Sequence, residues 1–476
     1  MFAITGLIGS GKSFVSSIIR EAGFEVLDAD ALAHELYKEN AELRKKIAQE
    51  FSDEAITENG VNRAYISKLV FSEPEKLSLL ESIVYPVLLS EIERINPVFV
   101  EAAVLYKCPE FAEKMKEIWE VEASEDLRKE RLLERGLARS DVESRMRVQG
   151  VESGELRVES CVERIDNNGA REECREKVLK FLEKHIPNII RRDVSLKEHT
   201  TFKIGGNAKF FSEPNDIEEI KALFAWCKEF KIPYFILGKG SNVLFDDEGY
   251  RGLVIRLSKF DAGNSLHSLI QTAANQGLGG LEKLEGIPGT IGGAIFMNAG
   301  AHGQQISDCI KSVTSITANG EIKTRTKEEC EFSYRSSIFK KLSTLNSQLS
   351  TPTILSAEFN FTPMPKETIN KNRKEVLAWR KSKQPLQYPN AGSIFKNPAD
   401  NLSAGALIES CNLKGFSIGD AQISELHANF IVNKGSATAK DVKALMEKIV
   451  QSVKETRSVD LEPEIIVFTF PFLRTP

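Results

Sequence analysis

The chain has 476 residues, which at the usual domain size predicts about three domains. Hydrophobic residues make up 41% and charged residues 28%, and these ordinary values exclude a disordered chain, a collagen-like fibre and a small disulfide scaffold. The 63 basic and 68 acidic side chains give a net charge of −5, so the chain lacks the overall positive charge of a nucleic-acid-binding protein. We therefore expect small-molecule partners and no nucleic acid.

Targeting and redox features predict a cytoplasmic protein without membrane insertion. The first residues, MFAITGLIGSGKS, lack a basic leader before an apolar stretch, and no apolar run approaches the ~18 residues that span a bilayer. The seven cysteines are scattered and form no CxxC pair, which is typical of reduced thiols and not of a zinc site.

The first 185 residues alternate short apolar strands with helices. Residues 2–5 (FAIT) and 24–27 (FEVL) are predicted strands, and a Gly-rich turn and a helix follow the first of them. This alternation predicts a parallel sheet. From residue 113 to 185 the chain is dense in Glu, Arg and Lys, which is typical of helices with solvated faces.

The composition of the sequence changes near residues 186–192. After this point glycines are frequent, and they lie among short β-rich runs such as 252–257. Residues 342–353 are rich in Ser, Thr and Leu and are predicted to form a surface loop. From about residue 354 the sequence is mixed α and β, with apolar residues at helical spacing over 441–453. We predict three domains, covering residues 1–187, 188–355 and 356–476.

Residues 6–13, GLIGSGKS, match the phosphate-binding pattern GxxxxGK[ST] in full. A predicted strand precedes them and a predicted helix follows, which is the context that the pattern requires. The glycines let backbone N–H groups converge on phosphate oxygens at a helix N-terminus. We predict that ATP binds Gly9, Ser10, Gly11, Lys12 and Ser13, with Ser13 also offering its hydroxyl to Mg²⁺; the alternative is a fortuitous Gly-rich turn.

Two aspartates follow the second predicted strand. Asp28 and Asp30 are two residues apart, so on an extended segment both can point into the crevice at the carboxyl end of the sheet. A carboxylate there can accept a proton from an attacking hydroxyl. For Asp28, helix capping is an equally good interpretation, whereas for Asp30 we favour catalysis.

Arg128, Arg131, Arg135 and Arg139 recur at spacings that fall on roughly one helical face. Arginines that close over phosphates are typical of the lid in phosphoryl-transfer enzymes. The alternative is that they form an ordinary solvated face.

Together these features resemble dephospho-coenzyme A kinase over about residues 1–185, on the segments GLIGSGKS, DADALAH at 28–34, RMRVQ at 145–149 and IDNNG at 165–169. The resemblance implies an α/β P-loop kinase domain that uses ATP to phosphorylate the ribose 3′-hydroxyl of dephospho-coenzyme A. Asp30 would be the base, Phe14, Arg135 and Arg139 would join the ATP site, and residues 167–169 would lie near the adenine.

Three positions depart from the pattern of this family. Phe14 stands where Thr is usual, Tyr85 precedes Pro86 where His-Pro is usual, and Lys107 replaces an acidic residue near the expected acceptor site. Two alternatives therefore stay open: a nucleotide-binding or docking module without turnover, and a kinase with another nucleoside or nucleotide as acceptor.

Glycine-rich turns mark the second half of the chain. Consecutive glycines permit turns with positive φ, whose N–H groups form anion-binding nests, so a pyrophosphate-bearing dinucleotide is a natural guest. Ordinary Gly-rich turns of a β protein are the alternative. The candidate FAD-binding residues are Gly238, Lys239, Gly240, Ser241, Asn242, Gly289, Thr290, Gly292, Gly293, Ala294 and Asn298.

The order of the motifs from about residue 191 to the end resembles UDP-N-acetylenolpyruvoylglucosamine reductase. Besides the glycine turns, YRSSIF at 334–339, AGSIFKNP at 391–398 and LEPE at 461–464 carry this resemblance. It implies an α+β FAD-binding domain of the PCMH type, followed by a small α+β substrate domain. It also implies that NADPH reduces FAD, which then reduces the enolpyruvyl substrate. An FAD oxidase that shares only the flavin-domain fold is the rival.

The resemblance assigns the chemistry of this half to three residues. Arg335 would stabilise the negative charge that develops on an aci-enolate, Ser393 would donate the proton, and Glu464 would assist with a raised pKa. Tyr334, Lys396 and Asn397 would contact the substrate. Taken singly, Ser393 could instead cap a helix, Arg335 could form a surface ion pair, and Glu464 could lie at a strand edge.

Overall fold

The computed structural model of the chain describes residues 1–152, 162–345, 352–399 and 401–468. The chain divides into two compact units, Met1–Ile186 and Pro187–Pro476. Among the described residues, no helix combines the length and the apolarity needed to cross a membrane.

The first unit contains a parallel sheet, a short hairpin and surrounding helices. Its strands are β1 (Phe2–Thr5), β2 (Val26–Asp28), β3 (Ile56–Thr57), β4 (Gly60–Val61), β5 (Phe99–Glu101), β6 (Glu117–Glu122) and β7 (Val162–Asp166). Its helices are α1 (Lys12–Glu21), α2 (Ala29–Glu39), α3 (Ala41–Phe51), α4 (Arg63–Ser72), α5 (Pro74–Ile95), α6 (Pro109–Ala112), α7 (Glu125–Glu134), α8 (Arg139–Glu152) and α9 (Arg171–Glu183).

The strands of the main sheet run in the order β2-β5-β1-β6-β7, and every neighbouring pair is parallel. All four residues of β1 are buried, because helices cover the sheet on both faces. The predicted parallel sheet is therefore confirmed, and β1 spans the predicted residues. The second strand begins two residues later than predicted, at Val26, because the Phe24 N–H still donates to the Ile19 carbonyl in the turn that ends α1.

The charged stretch of the first unit is less helical than predicted, because β6 and β7 lie within it. The four spaced arginines also do not share one helix. Helix α7 ends at Glu134, Arg135 is its C-cap residue, and Gly136 follows with φ of 84°. A residue in this left-handed conformation ends a helix, so Arg139 begins the separate helix α8.

The second unit is built from several small sheets. Its strands are β8 (Ile190–Ser195), β9 (Asn207–Ser212), β10 (Tyr234–Leu237), β11 (Val243–Leu244), β12 (Tyr250–Arg256), β13 (Leu278–Gly279), β14 (Gly300–Ala301), β15 (Gln304–Gln305), β16 (Ile310–Ile316), β17 (Ile322–Thr326), β18 (Thr353–Phe359), β19 (Thr362–Pro363), β20 (Ser417–Ile418), β21 (Ala421–Ile423), β22 (Ile431–Asn433) and β23 (Ile466–Val467). Its helices are α10 (Ile217–Glu229), α11 (Leu266–Asn275), α12 (Ile291–Phe296), α13 (Ile338–Leu345), α14 (Lys366–Lys383), α15 (Ala404–Glu409) and α16 (Ala439–Arg457).

Three sheets organise this unit. Strands β10-β12-β9-β8 form a mixed sheet, whereas β17-β16-β18 and β20-β21-β22 are antiparallel. Near the end of the described chain, β23 returns to pair in parallel with β11, where Val243 lies opposite Ile466. This pairing brings the segment around residue 464 beside the glycine turn at 238–242.

Two sequence predictions in this unit have a clear outcome. The helix predicted over 441–453 is confirmed and is longer, because a capping box of Thr438 and Asp441 starts it early. The predicted loop 342–353 is wrong at both ends, because α13 continues to Leu345 and β18 begins at Thr353; residues 346–351 lie outside the described residues.

Strand β18 crosses the border that the sequence predicted after residue 355. It pairs with β16 from Thr353 to Phe359. We propose that the border between the FAD-binding and substrate domains lies after this strand.

Candidate functional site

The P-loop of the first unit connects β1 to α1 in a conformation that depends on glycine. Gly9 and Gly11 have φ angles of 80° and 101°, and a Cβ at Gly9 would lie 2.8 Å from the Arg128 carbonyl oxygen. Lys12 Nζ donates to the Gly6 carbonyl at 2.8 Å. Burial lowers the pKa of Lys12, and the nearby Glu101 and Asp30 carboxylates partly oppose this shift.

Two predicted neighbours hold the P-loop from outside. Arg131 donates to the Ser10 carbonyl at 3.2 Å and to the Asn167 carbonyl at 2.9 Å. The buried Asn167 amide also donates to the Ser10 carbonyl, at 2.7 Å. Arg131 and Asn167 therefore support the loop through hydrogen bonds to its backbone.

Glu101 is a site residue that the sequence reasoning missed. It ends β5, beside the P-loop strand, and accepts a hydrogen bond from Ser13 Oγ at 2.8 Å. A hydroxyl beside a carboxylate suits Mg²⁺ that also binds nucleotide phosphates. The described residues hold no cluster of three or more His, Cys, Asp or Glu that could bind a metal ion. The sequence feature that could have revealed Glu101 is a short apolar strand that ends in a carboxylate.

The two aspartates after β2 have different environments. Asp28 caps α2, and its Oδ1 accepts from the backbone N–H groups of Asp30 and Ala31 at 2.9 and 3.0 Å. Asp30 lies in the first turn with an exposed side chain, close enough to Lys12 for its charge to oppose the fall in the pKa of Lys12. The capping interpretation is confirmed for Asp28, and the role of Asp30 as base stays a prediction.

Two departures from the kinase pattern share one partner. The Tyr85 hydroxyl donates to Glu81 Oε1 at 2.9 Å, and Lys107 Nζ lies 2.6 Å from the same oxygen. The side chains of Lys107 and Glu81 are about three-quarters or more buried, at 24% and 19% exposure. The Lys107 charge is therefore matched by a carboxylate on α5.

The remaining predicted ATP-binding residues, Phe14, Arg135 and Arg139, have different surroundings. Phe14 packs under the Arg171 guanidinium, which is 5.6 Å from the ring centroid. Arg135 is exposed, and its charge contributes to the lowered pKa of Lys12, so it lies near the P-loop. Arg139 is exposed and pairs with Glu143 at 3.4 Å.

The second unit contains a cavity of about 770 Å³ that brings most of the predicted reductase residues together. Arg335, Ser393, Glu464 and Asn397 line it. The predicted FAD residues that line it are Gly238, Lys239, Gly240, Ser241, Asn242, Gly289, Thr290, Gly292, Gly293 and Ala294.

The glycine turns form a cradle that larger residues would fill. A Cβ at Gly238 would lie 2.6 Å from Thr290 Oγ1, and one at Gly240 would lie 2.3 Å from the His199 carbonyl oxygen. Ser241 Oγ donates to the Pro288 carbonyl at 2.9 Å, which ties the two turns to each other. The residues present therefore fit a dinucleotide such as FAD, whose phosphates would face backbone N–H groups.

Arg335 and Glu464 form an ion pair on the cavity wall. Arg335 Nε lies 2.6 Å from Glu464 Oε1, and Arg335 also donates to the Gly300 carbonyl at 3.1 Å. Burial raises the pKa of the Glu464 carboxyl, and the Arg335 charge offsets this only in part. Arg335 has φ of 53°, a strained backbone conformation of the kind that clusters at functional sites.

Ser393 lies on the segment that the Glu464 segment contacts. Glu464 N–H donates to the Ile394 carbonyl at 2.8 Å, and Phe395 forms an antiparallel bridge with Pro463. Gly392, with φ of 79°, turns the chain immediately before Ser393. The pairing of these two segments explains how residues 71 positions apart reach one cavity.

The other predicted residues have varied positions. Tyr334 is 56% exposed, and the Arg335 guanidinium lies 5.4 Å from its ring centroid. Lys396 forms an ion pair with Glu462, and Asn397 accepts from the Ala404 N–H at 3.1 Å. Asn298 is buried and does not line the cavity; its amide donates to Gln305 Oε1 at 2.8 Å and to the Ser333 carbonyl at 3.0 Å.

Lys340 was also missed by sequence reasoning. It lines the cavity, donates to the Arg335 carbonyl at 3.1 Å, and has its pKa lowered by burial and by the charge of Lys396. Asn429 lines the same cavity. Its segment, residues 427–430, resembles the substrate domain of the reductase family, but the sequence leaves a structural role for it at least as good an interpretation. Lys340 belongs to no local chemical pattern that a sequence alone would single out.

The two sites define the class of the protein. A P-loop on a parallel sheet is typical of a nucleoside triphosphate-dependent kinase, and a glycine cradle that opens on an Arg–Glu pair and a serine is typical of an FAD-dependent reductase.

Comparisons with known proteins assign the family. Three protein-family models match the chain. The family model for dephospho-CoA kinase matches residues 1–173, and the family model for an FAD binding domain matches residues 208–325. The family model for the C-terminal domain of UDP-N-acetylenolpyruvoylglucosamine reductase matches residues 384–468. The reductase from Agathobacter rectalis is 40% identical over 313 residues, which cover 60% of this chain and 96% of that protein. The reductase from Clostridium novyi is 41% identical over 288 residues, covering 58% and 91%.

A solved structure agrees with these sequence matches. The crystal structure of UDP-N-acetylenolpyruvylglucosamine reductase from Thermus caldophilus is 36% identical, covers 59% of this chain and 100% of its own, and has a TM-score of 0.51. The chain belongs to the UDP-N-acetylenolpyruvoylglucosamine reductase family and carries an N-terminal dephospho-CoA kinase domain. Its second unit is thus a UDP-N-acetylmuramate dehydrogenase, a flavoprotein of peptidoglycan synthesis. The predicted fusion and the predicted fold class are confirmed.

Proposed function

We propose that the chain is a bifunctional enzyme of the cytoplasm. Its second unit uses NADPH and FAD to reduce UDP-N-acetylglucosamine enolpyruvate to UDP-N-acetylmuramate, and its first unit uses Mg-ATP to phosphorylate dephospho-coenzyme A. The observation that carries the reductase proposal is the 770 Å³ cavity on which Arg335, Ser393 and Glu464 meet the glycine cradle. The cysteines are scattered through the sequence without a CxxC pair, and those among the described residues are free thiols, which supports a reducing compartment.

The reduction adds one hydride and one proton across the enolpyruvyl double bond. FAD supplies the hydride, which comes from NADPH. The terminal carbon of the substrate receives the hydride and the adjacent carbon receives the proton, so the π bond breaks and two C–H bonds form. One proton from solvent and the conversion of NADPH to NADP⁺ balance the reaction.

The side chains of the cavity suit the charges that this reaction creates. Hydride addition leaves negative charge on the substrate carboxylate, and the Arg335 guanidinium offers planar, paired donors to it. Ser393 then donates its proton to the adjacent carbon and regains one from solvent. The raised pKa of Glu464 keeps this carboxyl protonated at higher pH than usual, so it can donate a hydrogen bond to the same charge.

Replacing Ser393 with Ala tests the assignment of the proton donor. Reduction of bound FAD by NADPH does not need this proton and should stay within about threefold of wild type, whereas product formation should fall by about 100-fold or more, the scale of general acid catalysis. Rapid mixing with each substrate in turn separates the two half-reactions. Product formation at the wild-type rate in Ser393→Ala would overturn the assignment.

The kinase proposal rests on the chemistry around the P-loop. Lys12 can neutralise the outer phosphates, Ser13 and Glu101 can bind Mg²⁺, and Asp30 can accept the proton of the attacking hydroxyl. Lys107 stands where the family has an acidic residue, and its pairing with Glu81 supports the proposal in so far as its charge is matched there. ATP, Mg²⁺ and dephospho-coenzyme A are therefore the proposed ligands of this unit.

Formation of ADP and coenzyme A by the full chain tests this proposal. We expect product with Mg-ATP and dephospho-coenzyme A, and a loss of about 100-fold or more in Lys12→Ala, because electrostatic stabilisation of the transferred phosphoryl group is lost. The Ser393→Ala variant is a control in which kinase turnover should not change. Nucleotide binding without product, in a preparation whose reductase is active, would make the first unit a binding module.

A further inference from the structure

We propose that Asn429 is the residue that positions Ser393 for proton donation. This inference rests on the proposed function, because it assigns a role in the same step to a residue that does not carry the proton. Asn429 is 4% exposed, lies just before β22 and is not one of the charged or nucleophilic groups of the cavity.

The side-chain amide of Asn429 binds both backbone groups of one residue. Its Oδ1 accepts from the Phe395 N–H at 2.9 Å, and its Nδ2 donates to the Phe395 carbonyl at 2.8 Å. The Asn429 backbone carbonyl accepts from the Ile394 N–H at 2.9 Å. One residue therefore makes three hydrogen bonds to the two residues that follow Ser393.

The opposite edge of the same segment is held by the chain that carries Glu464. Glu464 N–H donates to the Ile394 carbonyl at 2.8 Å, and Lys396 N–H donates to the Glu462 carbonyl at 2.9 Å. The segment after Ser393 therefore runs between Asn429 on one side and residues 462–464 on the other. Its position sets the separation of the serine hydroxyl from the Arg335–Glu464 pair.

Asn429 is itself fixed in a single orientation. Its backbone N–H donates to His427 Nδ1 at 3.2 Å, so every hydrogen-bonding group of the residue has a protein partner. Gly392, which precedes Ser393, has no atom within 4 Å of a Cβ built on it. The Gly392 N–H donates to Asn390 Oδ1 at 3.0 Å, so the chain before the serine is also held, and Asn429 supplies the hydrogen bonds on the other side of Ser393.

This role predicts a loss confined to one half-reaction. Asn429→Leu removes both side-chain hydrogen bonds at similar volume, and Asn429→Asp keeps the acceptor for the Phe395 N–H and loses the donor to the carbonyl. Reduction of FAD by NADPH should stay within about threefold, while reoxidation by the enolpyruvyl substrate should slow by about 100-fold in Asn429→Leu, as for an error of about 1 Å in a reacting geometry. Asn429→Asp should retain more activity than Asn429→Leu.

A matched control comes from another buried asparagine of the same strand region. Asn433 is 3% exposed, and its amide donates to the Phe202 carbonyl at 3.2 Å and accepts from the Gly435 and Ala437 N–H groups. Asn433→Leu should lower the thermal midpoint of the holoenzyme by an amount similar to Asn429→Leu. It should leave the ratio of the two half-reaction rates within about threefold of wild type, because its partners are not in the Ser393 segment.

The variants distinguish failure of this inference from failure of the proposed function. A slow second half-reaction in both Ser393→Ala and Asn429→Leu, with affinity for UDP-N-acetylmuramate by calorimetry within about threefold of wild type, would support the positioning role. The inference is wrong if reoxidation by the enolpyruvyl substrate is slow in Ser393→Ala but at the wild-type rate in Asn429→Leu. It is also wrong if Asn429→Leu, like the Asn433→Leu control, leaves the ratio of the two half-reaction rates within about threefold of wild type. If Ser393→Ala itself is fast, the proposed function is wrong at its proton donor.

Discussion

Glu464 is the residue whose ionisation should set the pH dependence of the reductase. Burial raises the pKa of its carboxyl, so the protonated form persists above the ordinary titration range and is lost as pH rises through the raised pKa. We expect the rate of reoxidation by the enolpyruvyl substrate to fall across that interval. Glu464→Gln cannot ionise, so its slower rate should lack this fall; rapid mixing over a pH series measures both profiles.

Comparing the two half-reactions shows whether the pH dependence belongs to Glu464. Reduction of FAD by NADPH in the same preparations should not follow the titration, since it precedes the charge that Glu464 meets. The same pH-dependent fall in Glu464→Gln as in wild type would assign the titration to another group, and Glu464 would then act only through its ion pair with Arg335.

Gly240 gives a second prediction at the scale of one residue. It has φ of 62°, and a Cβ there would lie 2.3 Å from the His199 carbonyl oxygen, inside the cradle wall. Gly303 has φ of 74° but no atom within 4 Å of its Cβ position, so Gly303→Ala carries the same conformational strain without the clash. We expect Gly240→Ala to lose FAD on gel filtration and Gly303→Ala to retain it, and equal retention would show that the cradle tolerates the methyl group.

The residues that could be predicted from the sequence belong to local patterns. The P-loop and the Ser393 segment each pack their chemistry into eight residues, so spacing and resemblance located them. Glu101 and Lys340 could not be found in this way. Glu101 acts through Ser13, at a separation of 88 residues, and only the folded sheet brings the two together. Lys340 is five residues from its partner Arg335, but its place on the cavity wall depends on the fold of the whole unit.

Helix α14 is attached to the cradle by a buried ion pair. Arg373 Nε lies 2.7 Å from Glu285 Oε2, with side chains 10% and 1% exposed, and Glu285 directly precedes the turn that includes Gly289. Arg373 Nη2 also donates to Gln271 of α11 at 2.7 Å. Two turns further along α14, Arg380 lines the cavity, so the ion pair sets how the helix meets the cradle.

Removing one member of the Arg373–Glu285 pair should weaken the attachment of helix α14 to the glycine cradle. Arg373→Met leaves the buried Glu285 carboxylate with the more exposed His267 ring beside its other oxygen and without the Arg373 guanidinium, and removing one partner of a buried pair costs about 3–5 kcal/mol. The temperature at which flavin fluorescence appears on heating should fall markedly. Glu285→Gln combined with Arg373→Met should recover part of the loss, and a double variant no better than Arg373→Met would show that the uncompensated charge is not the cause.

Helix boundaries illustrate what the sequence could predict for elements. The apolar spacing of α16 was sufficient because a capping box and a buried face agree with it. The arginine spacing across α7 and α8 was misleading, because charged residues carry no burial signal and Gly136 ends the first helix. A periodic pattern of apolar residues therefore predicted a helix correctly, because burial requires that spacing. A periodic pattern of charged residues alone did not.

At the scale of the molecule, each unit contains the residues proposed for its own chemistry. The P-loop, Glu101 and Asp30 all lie in Met1–Ile186, and the cradle, Arg335, Ser393 and Glu464 all lie in Pro187–Pro476. Neither proposed product is a substrate of the other reaction, so no transfer of an intermediate is required. The sequence could predict the fusion because each unit carries its own set of family motifs, although three positions of the first unit depart from the kinase pattern.

We therefore expect the two activities of the full chain to be independent. Lys12→Ala should abolish coenzyme A formation and leave the kcat and KM of the reductase within about twofold, and Ser393→Ala should do the reverse, because sites without shared groups add without coupling. Steady-state assays of both activities, each with and without saturating substrates of the other, measure this. A change of about fivefold or more in one activity on saturating the other site corresponds to about 1 kcal/mol of coupling free energy, and it would contradict independence.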